Sequence, residues 1–292
     1  MPAVLLLAQI LGAAMVDAPE PAVITWGERI QRWTLDGAPP ATLAERRFGA
    51  GGCADADGTL YLADGPRFVR LAPPYQKAEV LEPATEFDDC RPVTLFGQRG
   101  VLLLHYHSQV RFYMARAGAW PYRELYSIYT ASQQGALEPA DIDGDGLPDL
   151  FVGNYAMLNP GRLDLPWRLH AINLWHERPE SARARIAVIN PHRIVWAESE
   201  ASPARVAVFD FIGDFRQLWR ETRMRGTFHY PQGVAAAGDR IVIGDRDRVI
   251  EFDNMNATTL AEGFSTLRLW LLGDLVVVVT KDGVRVLQRP RK

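Results

Sequence analysis

The sequence predicts an all-β fold, a β-propeller of about seven blades of mostly four antiparallel strands, with six or eight blades as alternatives. Three observations carry this. Short apolar runs recur near Val23, Leu60, Val101, Leu150, Ile194, Ile241 and Leu275, at steps of 34 to 49 residues. Each is followed by a turn and a second strand-like run: RIQRWTL from Arg29, RFVRLAP from Arg67, QVRFYMA from Gln109, LHAINLW from Leu169, RVAVFDF from Arg205, RVIEFDN from Arg248 and GVRVLQR from Gly283. These runs alternate with period two, are rich in β-branched and aromatic residues, and are bounded by Gly, Asp, Asn and Pro. No amphipathic stretch of helical length competes with them.

A unit of about 40 residues that buries its faces only against its neighbours is the repeat of a propeller blade. Closing the units into a ring protects the sheet edges. The last unit ends soon after GVRVLQR without a clear outer strand, and the first lacks a clear inner one. An amino-terminal strand completing the last blade would reconcile the two.

Composition sets bounds on function. Of 292 residues, 48% are hydrophobic and 23% charged, enough apolar surface for one large core. The net charge of −3, with no block of like charge, gives no reason to expect nucleic acid or an anionic membrane as partner. A monomer is expected.

The first residues differ from the rest. Val4 to Val16 is mostly apolar, and no basic residue precedes Arg29. A secretory signal peptide over residues 1–18, cut after Ala18, with a single propeller domain over 19–292, is expected. A buried first strand, Val4 to Ile10, is its alternative. A transmembrane anchor fits poorly, because so short a run at about 1.5 Å per residue falls short of a ~30 Å hydrocarbon layer.

The sharpest motif is Asp141-Ile142-Asp143-Gly144-Asp145-Gly146-Leu147-Pro148-Asp149. Carboxylates at alternate positions can converge on a hard cation where glycines let the chain wrap, and Ca²⁺ takes six to eight oxygens. Asp141, Asp143, Asp145 and Asp149 would give side-chain oxygens and Leu147 its carbonyl. The segment ADIDGDGLPDLFVGNY resembles the FG-GAP or VCBS repeat of integrin-like propellers and bacterial exported proteins. That resemblance implies an Asp-rich loop between the first two strands of a blade, holding Ca²⁺. The shorter ADADGT segment of the second unit keeps only Asp55 and Asp57, and the loops near Gly97, Asn190, Gly238 and Gly273 have lost the acidic set. One good metal site is therefore expected.

Cys53 and Cys90 align as equivalent inner-strand positions of adjacent blades once the four-residue difference in loop length is allowed for. A disulfide between them is expected in an oxidising compartment, with two buried thiols as the alternative. His105 and His107 share a strand face on an alternating reading, without a third ligand to make a metal site. The aromatics Trp120, Tyr122, Tyr126, Tyr129, Trp167 and Trp175 suit the wedge between blades better than a carbohydrate or peptide platform. No GxSxG, HExxH, P-loop or GxGxxG pattern occurs. The functional expectation is an exported calcium-binding propeller, secreted, periplasmic or on the cell surface, that binds a protein or carbohydrate without catalysis. The alternative is a propeller lyase or hydrolase acting at the central channel.

Overall fold

Period-two sequence becomes strand pairs whose two faces both pack, and one run of the fourth blade shows why. In Asp149–Val152, Leu150 and Val152 turn to the preceding blade while Phe151 turns to the next. Val276 and Val278 against Val277 and Val279 divide in the same way in the last blade. A strand buried on both sides reads as a continuous apolar run, which is the form of the runs noted above.

The computed structural model describes residues 9–17, 20–87, 89–116, 118–128, 134–172, 183–212 and 219–288. Within them the chain forms seven antiparallel sheets over residues 10–44, 52–82, 90–127, 137–171, 184–223, 233–262 and 268–288. Six have four strands and the seventh has three, and strand order within every sheet follows chain order from the axis outward. The recurrent apolar runs are the second strands. The following runs are the third strands, except in the fourth blade. There the third strand is Tyr155–Leu158, and the LHA of the expected run belongs to the outer strand Arg168–Ala171. The hairpin through Gly153-Asn154 is so tight that a short third strand follows the second at once.

Seven apolar clusters hold the ring, one at each junction between adjacent blades. The seventh junction closes the circle. Ile10, Ala13 and Val23 pack on Val277 and Val279, and the Ile10 amide donates to the Lys281 carbonyl at 3.0 Å. Among the described residues the ring thus closes between blades seven and one by side-chain packing and this backbone bond, and no amino-terminal strand pairs with the last blade; residues 1–8 lie outside the described residues.

The inner strand of the first blade is Ile10–Val16, residues that the sequence reading gave to a leader. It pairs antiparallel with Ala22–Gly27 and buries Ile10, Ala13 and Val16. An apolar run of this length meets the needs of a leader and of a two-sided inner strand alike. Among the described residues no helix is long and apolar enough to cross a membrane.

Candidate functional site

The acidic loop joins the inner strand Leu137–Ala140 to the second strand Asp149–Val152. Gly144 and Gly146 turn the chain at φ of +78° and +84°, a region open to glycine at little cost. Asp141 accepts the amides of Gly144 at 2.8 Å and Gly146 at 3.0 Å. Asp149 is fully buried and accepts the amides of Ile142 at 2.8 Å and Asn159 at 2.6 Å. Burial pushes the Asp149 carboxyl up to about 6, against those donated bonds.

One carboxylate oxygen from each of Asp141, Asp143 and Asp149 lies within 4.8 Å of the others. Oxygens sharing one Ca²⁺ at about 2.3–2.6 Å sit no more than about 5 Å apart, so the trio has the right span. Asp145 stands outside this trio. Its Oδ1 accepts the Leu147 amide at 2.8 Å, which makes it a turn-former as the loop stands. Leu147 is half-buried beside it.

The second blade handles the same problem differently. Arg99, reaching from the third blade, places its guanidinium 2.6 Å from Asp55 and 3.4 Å from Asp57. A side-chain cation thus balances both carboxylates of the short loop. In the fourth blade the approaching guanidinium is that of Arg168, well exposed and 3.9 Å from Asp143.

A second candidate lies on the ring axis, where the inner strands enclose a cavity of about 450 Å³. Arg91 holds Asp89 at 2.5 Å and also grips Glu138 from the next blade through Nε at 3.3 Å and through Nη2. Burial pushes Glu138 up, while Arg91 opposes that shift. For Arg91 burial favours the neutral form, but Asp89 and Glu138 outweigh it and hold the guanidinium charged. Arg185 of blade five, Gln232 before blade six and Arg268 of blade seven complete the polar lining. Arg185 donates to Gln232 Oε1 at 3.4 Å, and Gln232 donates to the Ser199 carbonyl at 2.9 Å. Sequence reasoning missed these residues. The signal was a charged or amide side chain at or beside the start of successive inner strands, where neighbouring positions are apolar or small.

The disulfide joins Cys53 in the inner strand Gly52–Ala54 to Cys90 at the start of Cys90–Leu95, with Cα atoms 5.5 Å apart. It lies in the apolar junction of blades two and three. The two histidines do not share a strand face. His105 ends its strand and bonds Thr85 Oγ1 at 2.6 Å, whereas Tyr106 and His107 form the turn at positive φ. Burial first, then the charge of Arg111, pulls His105 down to about 4. Of the aromatics, Trp120 meets Tyr61 edge-on, Trp167 is buried against Phe96, and Tyr126 packs at the junction of blades three and four. Tyr122 is exposed under Arg111. Tyr129 and Trp175 lie outside the described residues.

The fold and these sites define a seven-bladed β-propeller. Among solved structures the chain is similar to virginiamycin B lyase from Staphylococcus aureus, seen with quinupristin in a catalytically inactive form, at 13% identity and a TM-score of 0.68 over 97% of this chain and 95% of that one. It is similar to the WD40 β-propeller domain of Doa1, at 10% identity and 0.66 over 97% and 94%. It is also similar to BBS1N in complex with ARL6DN, at 10% and 0.65 over 97% and 93%. At such identities these likenesses establish the fold alone. No family model matches the chain, so the FG-GAP/VCBS resemblance rests on the loop residues. No curated protein matches it either.

Proposed function

We propose that the chain is an exported, calcium-binding propeller that acts by binding or scaffolding, without catalysis, toward a protein or carbohydrate ligand. The observation that carries the calcium reading is the convergence of Asp141, Asp143 and Asp149 within 4.8 Å. Where the second blade answers clustered carboxylates with Arg99, a divalent cation answers them in the fourth. Asp145 and the Leu147 carbonyl complete the oxygen set, with Asp145 giving up its bond to the Leu147 amide. Extracellular calcium modules bind at about 10⁻⁴–10⁻³ M, a strength suited to stiffening a loop. A buried disulfide supports an oxidising compartment, and hence export.

The test is a calorimetric Ca²⁺ titration of the chain and of an Asp143→Ala, Asp145→Ala variant. Saturable heat from the first and none from the second is expected. At a hundredfold excess over Kd, the ion should add about 2.7 kcal/mol of stability. Absence of heat and of any thermal shift would remove calcium from the reading.

The axial carboxylates give the enzymatic alternative its one specific observation. Both are already charge-paired by Arg91, an arrangement suited to holding shape more than to exchanging protons. Turnover of a glycan panel would reverse this preference.

A further inference from the structure

We propose that the outer edge of the seventh blade, the strand Val284–Gln288, docks an extended peptide strand of a partner protein that is apolar on one face and carries an acid on the other. This rests on the binding reading above and gives it a partner chemistry and a place.

Six sheets end in a fourth strand, whereas among the described residues the seventh ends at its third. The third strand of every other blade buries at least one residue, and Val284–Gln288 buries none. The ladder fixes which backbone groups are unspent. The Thr280 amide donates to the Gly283 carbonyl at 2.9 Å, and bonded pairs alternate along an antiparallel ladder. Arg285 and Leu287 therefore bond to Val278 and Val276, while the amides and carbonyls of Val284, Val286 and Gln288 point outward. A row of outward donors and acceptors is a template for strand addition.

Side chains set the pattern of the guest. Val284 lies with Trp33 and Leu35 beside the junction with blade one, all three half-buried, and the apolar face of an added strand completes their cover. Arg285 is on the other face, exposed over the Phe264 ring at 4.7 Å, and among the described residues no carboxylate lies at ion-pair distance from it. Two other blades show how this chain answers such a residue. Arg70 and Arg111, on the third strands of blades two and three, have Glu79 and Glu124 as cross-strand partners on the fourth, with Arg70 and Glu79 at 3.4 Å. An acid opposite Arg285 repeats that pairing. Beyond the strand, Arg289-Pro290-Arg291-Lys292 adds three basic residues. A second copy would bring the same basic strand against itself, and residues 1–8, MPAVLLLA, carry no acid. Charge therefore favours a separate acidic segment over both.

Calorimetry on the full chain with blocked peptides tests this. The probes are Val-Thr-Val-Glu-Val-Thr, the same peptide with Lys in place of Glu, and the first peptide N-methylated at its Val residues. The first should bind saturably with Kd below about 0.1 mM, the Lys peptide several-fold more weakly, and the methylated one about tenfold more weakly. Val286→Pro removes an outward amide that the ladder does not use, a change that edge strands accept. It should weaken the first peptide about tenfold with an unchanged circular dichroism spectrum. Should that variant fail to fold, Arg285→Glu, at an exposed position, should reverse the preference between the Glu and Lys peptides. No saturable heat from the first peptide, equal binding of the methylated one, or undiminished binding by folded Val286→Pro would each overturn the proposal. So would a concentration-dependent dimer, read by sedimentation, that Val286→Pro abolishes, because the edge then belongs to a second copy. Calcium titration of the same chains separates the two readings, since the acidic loop lies in the fourth blade. Calcium heat without peptide heat defeats the edge alone, and the converse defeats the calcium site alone.

Discussion

Breaking the Cys53–Cys90 bridge offers the cleanest quantitative check on the junction of blades two and three. The bond closes a segment with a sequence separation of 37. In the loop-entropy description such a closure restricts the unfolded chain by about 4 kcal/mol at 25 °C. An unfolding entropy of about 2.1 cal/mol/K per residue gives roughly 0.6 kcal/mol/K for the whole chain, so the expected fall in Tm is about 6 °C. Reduction is the better perturbation than truncation to alanine, because both sulfurs stay in place among Tyr61, Phe68, Phe87 and Tyr113 and no cavity is added. The assay compares thermal unfolding of oxidised and reduced chain under denaturing-proof thiol blocking, with mass spectrometry counting free thiols at each point. A Cys53→Ala, Cys90→Ala variant should fall further than the reduced chain, by the lost packing. A reduced chain with two free thiols and a Tm within about 1 °C of the oxidised one would refute the reasoning.

A chain beginning at residue 19 lacks the inner strand Ile10–Val16 and the burial of Ile10, Ala13 and Val16; it should lose roughly 4 kcal/mol or more of stability, read by urea unfolding against the full chain. Intact mass of the protein isolated from its source then tells whether that strand is kept. His105 is held neutral in the fold, with its value down at about 4, so its contribution is fully present above the ordinary histidine range near 6.5 and is lost as pH falls toward 4. Over that window wild type should lose up to roughly 3 kcal/mol more than His105→Gln, by denaturant titration at pH 7, 5 and 4. Arg99→Gln leaves Asp55 and Asp57 facing each other without their guanidinium, yet Arg99 is well exposed, so a cost of no more than about 1 kcal/mol is expected from thermal melts at low salt.

Much of the architecture was legible in the order of residues. Continuous apolar runs such as LVVVV and DLFV need both faces covered, which is a demand that neighbouring blades meet, and their spacing supplied the number of blades. The cysteine alignment followed from the same spacing, since equivalent positions on adjacent inner strands come together wherever the loops differ only in length. The acidic loop could be read because its carboxylates and glycines lie within nine consecutive residues, Asp141 to Asp149. Where local pattern was ambiguous, the reading went astray. LHA in the fourth blade looks like a third strand until the shorter YAML takes that place, and the pair His105 and His107 alternates on paper while the chain turns between them.

By itself, then, the sequence determined what depends on neighbours along the chain: strand period, blade spacing, the Asp/Gly turn and the pairing of equivalent cysteines. Tertiary structure alone decided which carboxylates converge, that Arg99 crosses from the next blade to balance Asp55, that Ile10–Val16 is an inner strand, and that charged side chains of four blades meet on one axis. The reason is physical. Alternation and turn chemistry are set by a few adjacent torsions, whereas a junction or a channel brings together groups tens to hundreds of residues apart. Their proximity is a property of the closed ring and leaves no periodic trace in any one strand.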